Sequence, residues 1–123
     1  MSDFDWVTAR AECSLKSTFH ALYEEIKSNV QTATKLNGKA KFNTLYQHNK
    51  VIVSREEDDD EVESIVFELT ATAIMVTQIP DKILFSALPS ITREKVCRLE
   101  VNGEPLEVWQ VSMKALEGLF FGS

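Results

Sequence analysis

The chain has 123 residues, of which 44% are hydrophobic and 26% are charged, and this composition is typical of one folded domain over residues 1–123. It excludes a disordered segment, a collagen-like fibre and a disulfide-dense scaffold. The net charge is −6, and because the 13 Lys and Arg residues are scattered along the chain, we predict no binding to nucleic acid.

Six consecutive carboxylates account for the whole net charge. They are Glu56, Glu57, Asp58, Asp59, Asp60 and Glu61, and the other 13 of the 19 acidic residues balance the 13 basic ones. Mutual repulsion predicts a solvated loop that also discourages strand pairing between molecules. We predict no metal site there, because the run lacks the glycine and the spaced ligands of a calcium-binding loop. Glu57, Asp58, Asp59 and Asp60 are candidate contacts for a basic protein partner.

We predict a cytoplasmic protein that does not associate with membranes. No apolar stretch reaches the roughly 18 residues that a membrane span requires, and residues 1–5 are acidic where a secretory signal is basic. In a reducing cytosol, Cys13 and Cys97 are predicted to be small core side chains. A metal site, a disulfide and redox chemistry are the alternatives for the two thiols.

The beginning of the chain predicts a short strand followed by a long helix. Apolar and polar residues alternate over residues 7–15, which indicates a strand with one buried face. From there, apolar residues recur at steps of three and four and form one helical stripe: Leu15, Phe19, Leu22, Ile26, Val30 and Ala33. Ser14 is the predicted N-cap and Gly38 the predicted terminator. A single helix over residues 5–36 would be about 48 Å long, more than the ~35 Å diameter of such a domain.

The middle of the chain predicts antiparallel strands. Residues 42–46 and 51–55 flank a polar turn and predict a hairpin. Residues 65–79 alternate as a strand does, but one strand of that length would extend about 46 Å. We therefore predict a second hairpin, with a two-residue turn near its middle. A further short strand is expected over residues 83–87, ending before Pro89.

The strongest local signal is Asn102-Gly103, because a type I′ hairpin turn needs positive φ at both central residues. It predicts antiparallel strands over residues 96–101 and 104–111. In this register Trp109 pairs with Val96 on the outer face of the hairpin. An aromatic ring there is a candidate partner contact.

The chain ends in a predicted short helix. Ser112 is the predicted N-cap, and Met113, Leu116 and Phe120 form one apolar stripe. Phe121 follows directly. Because chain termini fray unless something holds them, Phe120 and Phe121 are expected either to complete the core or to contact another molecule.

These patterns predict an α+β fold, in which one long N-terminal helix packs on a curved antiparallel sheet and a short C-terminal helix follows. The order of strand, helix and meander is cystatin-like in outline, a likeness of architecture alone. A pocket between the long helix and the sheet is a candidate ligand site. Small residues there would leave room for it: Ala9, Ala11, Ala33, Ala71 and Ala73.

No residue pattern predicts catalysis. His20 and His48 belong to no spaced metal-binding pair, and the chain has no nucleophile elbow and no glycine-rich phosphate loop. We therefore predict no catalytic, cofactor or metal site, and a non-enzymatic binding or assembly domain that forms homodimers. The first alternative is a small-molecule carrier or enzyme with an apolar pocket between helix and sheet. The second is an acidic secretion chaperone or immunity-type inhibitor.

Overall fold

A computed structural model describes residues 4–36, 40–57, 60–79 and 82–122. Within these residues, three helices accompany a seven-stranded antiparallel sheet, which confirms the predicted α+β class. The helices are α1 (Trp6–Glu12), α2 (Leu15–Leu36) and α3 (Val108–Phe121). The strands are β1 (Lys41–Gln47), β2 (Lys50–Glu57), β3 (Asp60–Leu69), β4 (Ile74–Gln78), β5 (Lys82–Ile91), β6 (Cys97–Val101) and β7 (Glu104–Leu106).

Helix α2 has the predicted bounds and packs on the sheet through the predicted stripe. Its core residues are at most 5% exposed: Phe19, Leu22, Ile26 and Val30. The strands supply the other side of the core: Phe42, Val51, Val53, Ile65, Phe67, Ile74, Val76, Phe85 and Ala87. The Ser14 hydroxyl accepts a hydrogen bond from the Ser17 N–H at 3.1 Å, so the predicted N-cap is present. Gly38, the predicted terminator, lies outside the described residues.

Residues 6–12 form helix α1, so the predicted first strand is wrong. The Asp5 carboxylate accepts hydrogen bonds from the Thr8 hydroxyl at 2.6 Å and the Thr8 N–H at 3.1 Å, and these bonds lower the pKa of Asp5. The cap is therefore present at neutral pH and is lost as the pH falls through that lowered pKa. No residue of α1 is buried. With no face to bury, the cap and the helix-favouring residues decide the local structure.

The seven strands form a meander in which each strand pairs with its neighbours in sequence. The two hairpins predicted over residues 42–55 and 65–79 are both present. In the second one, Leu69 pairs with Ile74 and Phe67 with Val76, the register that a two-residue turn predicts. The Thr70 hydroxyl accepts a hydrogen bond from the Ala73 N–H at 3.0 Å and so holds a turn that has no glycine or proline.

Strand β5 continues through Pro89 to Ile91, so the predicted end at residue 87 is wrong. β5 pairs with β4 over residues 82–87 and with β6 over residues 88–91. Pro89 thus sits where the strand has exchanged one partner for the other. Proline has no backbone N–H to donate to a neighbouring strand. It is tolerated at this position because β5 is paired on one side only there.

The Asn102-Gly103 turn is confirmed, with φ of 53° and 81° and with Leu99 opposite Leu106. The second strand, however, ends at Leu106 instead of residue 111. The Glu107 N–H donates a hydrogen bond to the Gln110 side-chain oxygen at 2.8 Å, and this contact begins α3.

Two predictions about this region are consequently wrong. Trp109 lies on helix α3 and does not pair with Val96 on a strand. Ser112 is inside the helix and 1% exposed, so it is not the N-cap. The predicted stripe of Met113, Leu116 and Phe120 does lie along α3, with Met113 48% exposed and Leu116 1% exposed.

Replacing Gly103 with alanine is expected to lower the free energy of unfolding by about 1–2 kcal/mol, because its φ of 81° is strained for a residue with a Cβ. The matched change Gly118→Ala, in α3, is expected to raise it by up to about 1 kcal/mol. A Cβ at residue 118 meets nothing within 4 Å. Urea denaturation of both variants measures the pair, and the same sign for both would contradict these conformations.

Cys13 and Cys97 form a disulfide, with their Cα atoms 5.6 Å apart. The prediction that both are reduced core side chains is therefore wrong. Cys13 is 1% exposed, at the junction of α1 and α2, whereas Cys97 is exposed at the start of β6. The two residues are 84 positions apart in sequence. The bond thus fastens the N-terminal helices to the far part of the sheet.

Candidate functional site

A groove of about 750 Å³ runs between α2 and α3, and we call it the α2–α3 groove. Helix α2 contributes Glu25, Asn29, Thr32, Ala33 and Leu36, and helix α3 contributes Trp109, Ser112, Met113, Leu116, Glu117, Phe120 and Phe121. On both helices these residues recur at steps of three and four. Each helix therefore turns a second face, beside its core stripe, towards the groove.

The two helices run in the same direction along the groove. Near its beginning, Ser112 of α3 is hydrogen-bonded to Asn29 of α2. Near its end, the Phe120 ring packs edge-on against the Phe42 ring of β1, with centroids 4.9 Å apart, and the Thr34 hydroxyl in the last turn of α2 donates a hydrogen bond to the Phe42 carbonyl. The carboxyl ends of both helices therefore meet at one end of the groove.

Apolar side chains line the groove and remain exposed. Leu36 and Phe121 are each 80% exposed, and Trp109 and Met113 are 49% and 48% exposed. Leu116, which is 1% exposed, forms part of the floor. The convergence of four large exposed apolar residues on one concavity is unusual for a surface that only water covers.

The polar groups at the beginning of the groove bind one another. The Ser112 hydroxyl donates a hydrogen bond to Asn29 Oδ1 at 2.6 Å, and Asn29 Nδ2 donates one to Glu25 Oε2 at 3.0 Å. The serine hydroxyl therefore faces an amide and not a base. An activated nucleophile needs a base within hydrogen-bonding reach, so this arrangement does not resemble one.

The Ser112–Asn29 contact is expected to couple the two helices energetically. Ser112→Ala alone should lower the free energy of unfolding by about 1 kcal/mol. In a double-mutant cycle with Asn29→Ala, the coupling energy should be about 0.5–1.5 kcal/mol. Chemical denaturation of the four proteins measures it, and additive effects within about 0.3 kcal/mol would show that the bond contributes nothing.

Glu107 positions the indole of Trp109 at the mouth of the groove. Its carboxylate accepts a hydrogen bond from Trp109 Nε1 at 3.1 Å and lies 3.9 Å from an Arg98 nitrogen. The predicted hairpin register, which pairs Val96 with Trp109, also pairs Arg98 with Glu107. The contact between these two residues is present, although Glu107 precedes a helix and is not in a strand. The indole is thereby held through its N–H while its apolar face stays open.

The structure brings together the three aromatic residues that were predicted as partner contacts. Trp109, Phe120 and Phe121 all line the α2–α3 groove. Phe120 is partly buried against the core, whereas Phe121 is exposed. The location of Trp109 is on a helix and not on the outer face of a hairpin, which corrects its predicted setting.

The acidic run spans the β2–β3 hairpin. Glu57 ends β2 opposite Asp60, the first residue of β3, and its carboxylate forms a salt bridge with Arg55. Asp58 and Asp59 lie outside the described residues. Lys41, the first residue of β1, pairs with Glu56. Phe42, whose ring packs on Phe120 at the end of the groove, pairs with Arg55, so the residue that precedes Glu56 lies at the end where both helices terminate.

The cavity lies between two helices, whereas the sequence suggested one between α2 and the sheet. Of the alanines expected to line it, Ala33 alone does so among the described residues. Beneath α2 the core is filled, since Leu22 and Ile26 are fully buried against the strands. In the part of the chain that the structure describes, no three His, Cys, Asp or Glu residues converge as metal ligands do.

The chain matches no family model, no curated protein and no solved structure. None of the described helices is both long enough and apolar enough to cross a membrane. Function therefore has to be argued from the groove and its surroundings.

The sequence contains a signal for the groove that the core pattern obscures. Glu25, Asn29, Thr32 and Leu36 recur at helical spacing, but three of the four are polar, and such a stripe ordinarily faces solvent. On α3, a helix begun at residue 108 would have placed Trp109 beside Met113 and Leu116. The apolar pattern does not reveal that the helix starts after Glu107. That start is marked by the hydrogen bond between the Glu107 N–H and the Gln110 side chain.

Proposed function

We propose that this protein is a non-enzymatic binding domain that holds an apolar segment of a partner protein in the α2–α3 groove. The observation that carries the proposal is the concave cluster of Leu36, Trp109, Met113 and Phe121, each about half exposed or more. Aromatic residues and methionine are enriched at the centres of protein interfaces. Their burial by a partner would remove apolar surface from water, the dominant favourable term in association.

Two features favour binding over catalysis and a protein ligand over a small molecule. The described residues that line the groove include no histidine or cysteine, and the hydroxyl of its serine, Ser112, donates to the Asn29 amide oxygen and not to a base. A small-molecule site usually buries most of its ligand, but the 80% exposure of Phe121 and Leu36 shows that this groove is open to solvent where the two helices end. A volume of about 750 Å³ keeps a small apolar ligand as the second candidate.

The proposal includes two finer predictions from the sequence. Self-association into a homodimer is one, and sedimentation equilibrium tests it. Cytoplasmic location is the other, and it has to be reconciled with the Cys13–Cys97 disulfide, because disulfides persist mainly in oxidising compartments. Thiol trapping of the protein in intact cells measures which redox form is present.

The proposed function is tested by selecting random phage-displayed peptides of about 16 residues, about 24 Å as helices, on the immobilised chain. The groove variant Met113→Ser/Phe121→Ser removes two exposed apolar residues. Selected peptides are expected to bind it at least about tenfold more weakly than the unaltered chain.

The matched control is Leu45→Ser/Ile83→Ser. These residues are 53% and 67% exposed, and the strand registers place them on the sheet face that points away from the helices. Affinity for this control should change by no more than about twofold. Equal losses in both variants, or a selection that yields no peptide sensitive to the groove variant, would contradict the proposed function.

A further inference from the structure

The charge of the α2–α3 groove is negative on both sides. Its charged lining residues, within the described part of the chain, are Glu25 on α2 and Glu117 on α3. Lys35 and Lys114 lie on the same two helices but do not line the groove. An apolar strip between two carboxylates is complementary to a ligand that is apolar along one face and positively charged along its flanks.

The surroundings of the groove reinforce this charge. Both helices terminate at its far end, and the carboxyl end of a helix carries about half a negative elementary charge. The described start of the acidic run, Glu56 and Glu57, lies towards the same end, because Phe42 packs on Phe120 there and pairs with Arg55, the residue before Glu56. These fields act over a Debye length of about 10 Å and would steer a cation towards the groove before contact.

The dimensions and the lining favour a helix as the occupant. From Glu25 to Leu36, α2 extends about 16 Å, which corresponds to about three helical turns. Side chains form the described wall, so an extended peptide would bring unpaired backbone N–H and C=O groups against an apolar surface. A helix satisfies its backbone internally and presents anchors at i, i+3 or i+4, and i+7.

We propose that the occupant is a basic amphipathic α-helix of a partner protein, with its apolar face on Trp109, Met113 and Phe121 and its cationic flanks beside Glu25 and Glu117. This inference rests on the proposed function and names the chemical class of its ligand. It also excludes anionic ligands such as fatty acids, whose carboxylate would approach two carboxylates with no cation of the groove lining to receive it.

The test uses three synthetic helical peptides of about 14 residues that share their Leu positions and carry Lys, Gln or Glu elsewhere. In a Trp6→Phe background, Trp109 is the remaining tryptophan and its fluorescence reports binding in the groove. At low salt, the Lys peptide is expected to bind about tenfold more tightly than the Gln peptide, and the Glu peptide more weakly still.

A second variant assigns this preference to the named carboxylates. Glu25→Gln/Glu117→Gln preserves shape, and the glutamine at residue 25 can still accept the Asn29 hydrogen bond. The advantage of the Lys peptide over the Gln peptide should fall to about threefold or less.

The outcomes separate this inference from the proposed function. If the Lys and Gln peptides bind equally well in the groove, the basic helix is refuted while the binding groove stands. A Lys peptide whose affinity Met113→Ser/Phe121→Ser does not reduce would bind by charge elsewhere, which also refutes the inference. If none of the three peptides changes Trp109 fluorescence, both proposals fail.

Discussion

Replacing both Cys13 and Cys97 with alanine is expected to lower the free energy of unfolding by about 3–5 kcal/mol. The disulfide closes a loop of 84 residues, and the chain-entropy model assigns a cross-link of that span about 4.6 kcal/mol. Alanine is the appropriate replacement because Cys13 is buried, where a serine hydroxyl would add a desolvation penalty of its own. Guanidinium denaturation of the unaltered protein and of the alanine variant, both without reductant, measures the difference.

A reducing agent supplies the control for this prediction. It should destabilise the unaltered protein by a similar amount and leave the alanine variant unchanged. The stability of the two proteins should thus converge under reducing conditions. Two reactive thiols in the purified protein, denatured without reductant, would contradict the disulfide itself.

Replacing Ile26 with alanine is expected to cost about 2–5 kcal/mol, because its side chain is fully buried between α2 and the sheet. The matched change Leu36→Ala, on the same helix, should shift stability by no more than about 0.5 kcal/mol, since Leu36 is 80% exposed. Urea denaturation followed by circular dichroism compares them. Similar losses in the two variants would mean that α2 does not pack on the sheet through its predicted stripe.

The variants Ile26→Ala and Leu36→Ala also distinguish an effect on stability from an effect on peptide affinity. Leu36 lines the α2–α3 groove, so Leu36→Ala should weaken the selected peptides while the fold stays intact. Ile26→Ala should leave the affinity of the folded fraction unchanged. These two outcomes would assign stability to one face of α2 and binding to the neighbouring face.

Periodicity was a reliable guide where one face of an element is buried. The stripe of α2 follows from apolar spacing and the register of the β6–β7 hairpin from turn chemistry, whereas the β3–β4 hairpin follows from the length limit on a single strand. Residues 7–12 also alternate between apolar and polar, but none of them is buried. The alternation there does not reflect a buried strand face. The diameter of the domain correctly predicted that one helix could not cover residues 5–36, and the change of period at Leu15 located the start of α2.

Long-range geometry decided the features that sequence reasoning missed. The disulfide depends on the α1–α2 junction coming to rest beside the start of β6, which no local pattern encodes. The groove depends on how α3 packs beside α2, and the Ser112–Asn29 hydrogen bond is part of that contact. Helix α2 also has to serve two surfaces at once, and its second face is too polar to be distinguished from a solvated one.

The most direct test of the binding groove is an amide chemical-shift map of the ¹⁵N-labelled chain, recorded as the Leu/Lys helical peptide is added. We predict the largest amide chemical-shift changes at residues 29–36 and 109–121. Leu45 and Ile83, on the opposite face of the sheet, should change little. Shifts centred on that sheet face, or spread evenly over the molecule, would contradict this prediction.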